Sequence, residues 1–536
     1  MPVLTTRLDA NSAEFAANRA RMLGRLERLR ELEARTRAAS ARAKKRFDER
    51  GALLPRERIG RLLDLGSPWL ELSSLAGYLQ DDSDPEKSIP GARIVTGIGY
   101  VSGTRALIAA SDAGIDAGAL GAMSLEKLLR AQEIALENKL PFVHLVESAG
   151  ANLLSYRVEG FVLGGALFRN LARLSAAGLP VVTVVHGSST AGGAYMPGLS
   201  DYVVMVRGRA RAFLAGPPLL RAATGEIATE EELGGAELHA QVTGLAEYVG
   251  EDDADALRIA REIVSRLPWA RAPLPAGPLP RYDREELLGV MPADPRQPAE
   301  MREAIARIVD GSEFLEFKPD YGSATVVGHA AIDGMPVGIL TNNAPLDPHG
   351  ATKATHFIQA CCQTGTPLIY LQNTTGYIVS TASEADGMIK HGSKMIQAVT
   401  TANVPQLTVM CGASFGAGNY GMCGRGFAPR FLFSWPNAET AVMGPQQAAT
   451  TMGIVFEEGA KRRGQPADPA QIAALQAQIV ERFSSQMDAF VTSGRMLDDG
   501  VIDPRDTRRV LSFALSVCAD ADRRSVRPVQ FAVARP

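Results

Sequence analysis

Gly192 and Gly193, in the stretch GSSTAGGAYMPGLSD (187–201), stand where the apolar run LPVVTVVH (179–186) hands over to a predicted helix. Consecutive backbone N–H groups at a helix start form an anion-binding nest, and the missing side chains let an oxygen come close. The arrangement returns 225 residues later. LPVVTVVHGSSTAGGAY (179–195) resembles VPQLTVMCGASFGAGNY (404–420), which sets Gly192 on Ala417, Gly193 on Gly418 and Tyr195 on Tyr420. Three chemistries use such a turn: a phosphate cradle, a nucleophilic serine, or an oxyanion hole.

The first two fit one copy only. GAGNYG (416–421) matches the dinucleotide pattern GxGxxG, with Glu439 about 20 residues on, yet its counterpart TAGGAY lacks the pattern. No GxxxxGK[ST] phosphate loop is present. GASFG (412–416) satisfies GxSxG, but no histidine follows His391 to act as the base for Ser414, and copy one reads GSSTA. What both copies share is small residues offering backbone N–H groups. That is an oxyanion hole, in which each donor lowers a barrier by roughly 3–4 kcal/mol. Two copies imply two reactants, each turning a C=O into C–O⁻.

The elements that must position these turns also occur twice. RLLDLGSPWLEL (61–72) resembles RIVDGSEFLEF (307–317), GIGYVSG (97–103) resembles GHAAIDG (328–334), and LPFVHLVESAG (140–150) resembles TPLIYLQNTTG (366–376). AGPP (215–218) resembles MGPQ (443–446). With the glycine turns these make five collinear pairs, which argue for two copies of one domain. The Pro-rich stretch 267–283 reads as a linker. Short β-branched runs alternate with helical stretches such as 124–139, which predicts α/β domains with mostly parallel strands. The expected bounds are 51–275 and 282–525. They follow an Arg- and Glu-rich amphipathic helix within 1–50, whose apolar stripe is Phe15, Met22, Leu26 and Leu29.

Bulk properties narrow the function classes. The 536 residues carry a net charge of −3, which gives no nucleic-acid footprint. Five cysteines without CxxC spacing predict neither disulfides nor a zinc site. The N-terminus lacks a signal-peptide apolar region and no run is long enough to span a membrane, so a cytoplasmic protein is expected.

At these residues the chain resembles the carboxyltransferase (β) subunits of biotin-dependent acyl-CoA carboxylases, built from tandem crotonase-superfamily (ClpP-like) domains. The resemblance runs from about 50 to 520. It rests on LLPRERIGRLLDLGSPWLELS, LRAQEIALENKLP, STAGGAYMPGLSD, NNAPLDPHGATKATHFIQ, KHGSKMI, FGAGNYGMCGR and DDGVIDPRDTRRVL. It implies that the first copy binds the acyl-CoA, with Gly192 and Gly193 on the thioester enolate and Ala149, Gly150, Gly164 and Tyr195 around the substrate. It implies that the second copy binds carboxybiotin, with Ala417 and Gly418 on the ureido oxygen and Asn373, Thr375, Gly376, Phe415 and Tyr420 nearby. No metal and no protein base are then needed. The chain has no biotinyl-lysine motif, so an α subunit with biotin carboxylase and biotin carrier domains is the implied partner, around a hexameric β core.

GSSTAGGAY, QNTTGY and FGAGNYGMCGR are similar to the 3-methylcrotonyl-CoA/geranyl-CoA branch, which carboxylates the γ carbon of a β-methyl-α,β-unsaturated thioester. A glycine at 164, where methylcrotonyl-type subunits carry phenylalanine, leaves room for a longer tail and favours geranyl-CoA over 3-methylcrotonyl-CoA. The rival reading is that Gly164 serves helix packing. Two departures stand out: Asp116 replaces an expected lysine in SDAGIDAG, and ESAGA (147–151) replaces DSGGA. His391, between Lys390 and Lys394, reads as a packing or biotin-loop residue. Asn373 either meets biotin or caps a turn, and Lys353 and His356 are placed near CoA. A stand-alone crotonase-type hydratase or isomerase, which needs paired acid/base groups that the turn lacks, and a non-enzymatic scaffold are the alternatives.

Overall fold

The computed structural model describes residues 1–150, 158–269, 272–294, 297–464 and 468–530. The chain forms two compact units, each built on one sheet. The unit holding the first copy comprises 31–273, 494–496 and the chain from Val517 onward. Its strands are β1 (Leu70–Leu72), β2 (Ile94–Val101), β3 (Thr104–Ser111), β4 (Phe142–Ser148), β5 (Val181–Thr190), β6 (Tyr202–Val206), β7 (Arg211–Phe213) and β8 (Tyr248–Gly250). Their order is β1-β2-β3-β4-β5-β6-β8, with β7 paired to the end of β5. The β2–β3 hairpin is antiparallel and β3 through β8 run parallel. Residues such as Val143, Val182, Val184 and Val204 are buried because helices cover the sheet, among them Ala122–Glu137 and Asp253–Ser265.

The other unit comprises Met1–Arg30, Leu274–Ser493 and Leu497–Ser516. Its strands are β9 (Leu315–Glu316), β10 (Thr325–Ile332), β11 (Met335–Asn342), β12 (Leu368–Thr374), β13 (Gln406–Phe415), β14 (Phe431–Ser434) and β15 (Glu439–Ala441). The order is β14-β13-β12-β11-β10-β9, with β15 on the end of β13. Thus β2, β3, β4, β5 and β7 correspond to β10, β11, β12, β13 and β15.

The correspondence extends to register and side-chain bonds. The β4–β5 ladder shifts between Val146 and Ser148, and the β12–β13 ladder shifts between Gln372 and Thr374, the equivalent residues. Arg56 grips Glu71 through two bonds of 2.7 Å, and Arg302 grips Glu316 through bonds of 2.8 and 2.7 Å. Beside each pair lies a buried lysine on the equivalent helix, Lys127 and Lys353. Asp64 accepts from the turn amides of Ser102 and Gly103 at 2.8 and 2.7 Å, and Asp310 from those of Asp333 and Gly334 at 2.8 and 2.7 Å. The two ion pairs are half-buried, and each copy keeps the same polar partners where its apolar residues differ.

The unit bounds differ from the expected 51–275 and 282–525 at the chain ends. The N-terminal segment is two helices, Ala13–Ala41 and Lys44–Glu49, with Phe15, Met22, Leu26, Leu29 and Leu32 buried along one stripe. Up to Arg30 it belongs with the second copy, where Asn18 Nδ2 donates to the Gly289 carbonyl at 3.2 Å and Arg25 to that of Pro436 at 2.9 Å. From Val517 the chain belongs with the first copy. Arg105 pairs with Asp520 at 2.5 Å, and Arg524 donates to the Lys139 and Arg105 carbonyls at 2.7 and 2.9 Å. These long-range polar contacts carry no local sequence signal.

Candidate active site: two equivalent elbows

In the first copy, β5 ends at Thr190, Ala191 adopts a left-handed conformation with φ +54°, and a short 3-10 turn Ala191–Ala194 opens the helix Tyr195–Gly198. In the second copy, β13 ends at Phe415, Gly416 adopts φ +54°, and the helix Gly416–Gly421 begins at once. The left-handed residue reverses the strand within one step, so the next N–H groups start a helix and have no partner earlier in it. Exposure matches position for position. Gly192 and Ala417 are exposed, Gly193 and Gly418 buried, and Tyr195 and Tyr420 are 49% and 51% exposed.

The neighbouring loop is equally matched. Gly150 (φ +86°) and Gly376 (φ +111°) follow β4 and β12. The Gly150 N–H donates to Ser148 Oγ and the Gly376 N–H to Thr374 Oγ1, both at 3.1 Å. Their carbonyls accept from the amides of Leu120 and Leu346 at 2.8 and 3.0 Å. A Cβ on Gly150 would stand 3.1 Å from the Thr190 carbonyl, and one on Gly376 would stand 3.5 Å from that of Phe415. Each loop therefore lies against its elbow, presenting the exposed Ala149 in one copy and Thr375 in the other. Ala151, which ends the ESAGA loop, is outside the described residues.

The elbows differ in tightness. A Cβ on Gly418 would fall 2.8 Å from Thr374 Oγ1 and 2.9 Å from Gly376 Cα, whereas one on Gly193 would have Ser189 Oγ nearest, at 3.6 Å. In the second copy, then, the glycine lets the loop close on the elbow, forming a cradle that a side chain would fill.

Other predicted residues fall as follows. Gly164 lies on the helix Val158–Ala176, and among the described residues no atom beyond its own helix backbone falls within 4 Å of where its Cβ would be. Open space, not tight helix packing, surrounds it. Phe168, one turn further on, comes within 3.7 Å of a Cβ on Gly192, and its ring meets Tyr195 edge-on at 5.6 Å. Sequence reasoning missed Phe168, although an aromatic four residues after Gly164 on the same helical face was there to find. Asn373 lies in β12, so it caps no turn; its side chain packs over Gly412 as Glu147 packs over Gly187. Phe415 is buried with Ala413 and Met487, leaving its backbone to line the elbow.

Lys353 is fully buried, which overturns its placement near CoA; burial lowers its pKa. His356 sits 3.1 Å from Lys318 and edge-on to Phe317. His391 is 2.8 Å from Thr352 Oγ1, a packing contact, with Lys390 and Lys394 exposed. Asp116 pairs with Arg93 at 2.8 Å. Ser414 is buried; its Oγ donates to Gln372 Oε1 at 2.5 Å and accepts from Asn419 Nδ2 at 2.7 Å, so it has no nucleophile's freedom. Glu439 faces Arg25 and Arg21 from β15, and burial raises its pKa.

One perturbed histidine lies in the strand that leads to the first elbow. His186, next to Gly187 in β5, is 2.8 Å from Asp253, and burial lowers its pKa to about 4. Arg58 joins Asp253 at 3.2 Å and Glu147 at 2.6 Å, tying β5 to the end of β4. These groups brace strands; what the elbows offer is backbone N–H. Among the described residues, no group of three or more His, Cys, Asp or Glu could hold a metal, and no helix is long and apolar enough to cross a membrane.

A model of the carboxyl transferase domain family matches residues 47–530. The chain is 48% identical over 523 residues to a probable biotin-dependent acyl-coenzyme A carboxylase β2 subunit of Mycobacterium tuberculosis, covering 97% of each chain. It is 46% identical over 526 residues to a 3-methylcrotonyl-coenzyme A carboxylase β1 subunit of the same organism, covering 97% of this chain and 98% of the other. The crystal structure of the P. aeruginosa geranyl-CoA carboxylase β subunit superimposes with a TM-score of 0.93 at 52% identity, covering 100% of both chains.

Proposed function

We infer the reaction from one premise: the chain belongs to the carboxyl transferase domain family, among the β subunits of biotin-dependent acyl-CoA carboxylases. Its two crotonase-like units carry the carboxyltransferase half of that activity. The observation that carries the reading is the pair of equivalent elbows, which supplies one oxyanion site per reactant.

In the first copy, Gly192 and Gly193 hold the thioester oxygen of the acyl-CoA. The γ-methyl proton of a β-methyl-α,β-unsaturated thioester is acidic only while charge spreads to that oxygen, so two backbone donors worth about 3 kcal/mol each act where charge develops. Ala149, Gly150 and Tyr195 border the same mouth, and Gly164 opens its far end. In the second copy, Ala417 and Gly418 hold the ureido oxygen of biotin, with Thr375, Gly376 and Tyr420 around it and Asn373 and Phe415 behind. When bound, carboxybiotin supplies the CO₂ and a nitrogen to take the proton. The cradle that Gly418 leaves fits that role, and the elbows contribute no side-chain base.

We assign geranyl-CoA as the acyl substrate, on the open space at Gly164 and the 52% identity with the P. aeruginosa enzyme. The protein works with an α subunit that carboxylates and carries biotin, around a homo-hexameric β core, in the cytoplasm. The test is to mix this chain with its α subunit, ATP, ¹⁴C-bicarbonate and either geranyl-CoA or 3-methylcrotonyl-CoA. Fixation into geranyl-CoA is expected. Fixation into 3-methylcrotonyl-CoA alone reassigns the substrate, and fixation into neither ends the reading. Hydration of crotonyl-CoA by the isolated chain would point to the hydratase class.

A further inference from the structure

At the other end of the first sheet lies a cavity of about 380 Å³, between the β2–β3 hairpin and the last described residues of the chain. Leu107 of β3 pairs with Phe142 of β4, which pairs with Val181 of β5, so Arg105 stands where the parallel strands begin. Gly192 follows their far ends, ten β5 residues or roughly 30 Å away. The cavity is separate from the elbow.

Its wall holds Arg105, Arg523, Arg524 and Arg527, and among the described lining residues the one carboxylate is Asp520. Arg105 is 2% exposed and Arg524 9%. Asp520 already serves two guanidinium groups, Arg105 and Arg523, each at 2.5 Å. Arg524 has the carbonyls of Lys139 and Arg105, and its guanidinium lies 5.1 Å over the Trp269 ring. Carbonyls are dipoles, and the nearby Asp520 carboxylate is already shared between Arg105 and Arg523. Buried charge is stable when an opposite charge is supplied, and among the described lining residues two buried and two exposed guanidinium groups face one carboxylate. Burial lowers the pKa of Arg524 to about 10, with Arg105 lowering it further and Asp520 opposing both.

We propose that this cavity is a binding site for an organic diphosphate, gripped by Arg523 and Arg527 at the mouth over a floor of Arg105 and Arg524. Guanidinium forks match phosphate oxygens two at a time. The volume lies in the range of small-molecule pockets and exceeds what inorganic phosphate fills. Arg523 spends one nitrogen on Asp520, and Arg527 is exposed, so both have donors to give.

The experiment is calorimetric titration of the full-length β chain alone with ADP at constant ionic strength, with a saturating acyl-pantetheine, which carries no diphosphate, occupying the elbow. Inorganic pyrophosphate and sulfate serve as comparison arms. Saturable ADP binding is expected, weakened about tenfold or more in Arg523→Gln/Arg527→Gln. Both residues are exposed, so the variant keeps the buried floor; Arg527→Gln alone is the fallback, with the same direction of effect. Binding of pyrophosphate as tight as that of ADP would place recognition in the diphosphate group, and weaker binding would give the organic portion a share. The proposal is overturned if sulfate binds as tightly as ADP, or if pyrophosphate binds and ADP does not. It is also overturned if the acyl-pantetheine abolishes binding, if the variant binds as wild type does, or if no arm binds.

Discussion

Ala191 and Gly416 occupy equivalent places at the two elbows, 225 residues apart, with the same left-handed φ of +54°. Alanine pays about 1–2 kcal/mol for that conformation and glycine does not. The first copy therefore stores strain at its elbow, whereas the second avoids it. Gly416→Ala should lower stability by about 1–2 kcal/mol, since its Cβ also comes within 3.1 Å of the Val442 carbonyl. Ala191→Gly should change it by less than about 0.5 kcal/mol, as relief of strain is offset by a freer unfolded chain. Urea midpoints measure both.

Small substitutions should affect the two elbows unequally. Gly418→Ala drives a methyl against Thr374 and Gly376, displacing the N–H groups, and should lower kcat roughly 100-fold. Gly193→Ala finds its nearest contact at 3.6 Å and should lose less than about tenfold. Transfer of ¹⁴C measures both; equal losses would contradict the asymmetry.

Gly164→Phe should leave transfer to 3-methylcrotonyl-CoA intact and cut kcat/KM for geranyl-CoA at least 100-fold, because about five carbons at roughly 0.8 kcal/mol each lose their place. A variant with full geranyl-CoA activity would show that the tail leaves the site by another route.

Ser414→Ala should keep transfer within about threefold of wild type while lowering stability by about 1–2 kcal/mol, as it breaks the buried bonds to Gln372 and Asn419. A complete loss of transfer with fold and assembly intact would give the hydroxyl a chemical role.

His144 is fully buried, and burial lowers its pKa to about 4 from the ordinary 6.5. Between those values the unfolded chain binds the extra proton and the folded chain does not. Stability is therefore lost as pH falls from 6.5 toward 4, by up to about 1.4 kcal/mol per pH unit. His144→Leu should flatten that slope, read as urea midpoints between pH 7 and 5; an unchanged slope would mean that the ring takes up its proton without cost.

The duplication was legible because five short pairs kept their order, and each lies at equivalent places in the two units, four along the sheets and AGPP/MGPQ at a helix start. The elbow residues were legible because a strand, a left-handed step and a helix start leave a local mark in residue type. What lay beyond the sequence depends on distant parts of the chain. Lys353 looks like any surface lysine in TKATH until its own helix packs on the sheet. Phe168 gains meaning only when its helix brings it to Gly192. The assignment of Val517–Arg524 to the first copy rests on bonds to Arg105 and Lys139, about 400 residues earlier.

That long reach governs the order in which the protein is made. A ribosome finishes β2 and β3 near residue 111, yet Asp520, which answers the buried Arg105, is synthesised about 400 residues later. Until then the first copy lacks the carboxylate that pairs with Arg105, so its native form is completed only once the chain from Val517 onward has left the ribosome. Nascent chains stalled before residue 517 should remain protease-sensitive around the β2–β3 hairpin, and protection should appear only once the tail is free to fold back.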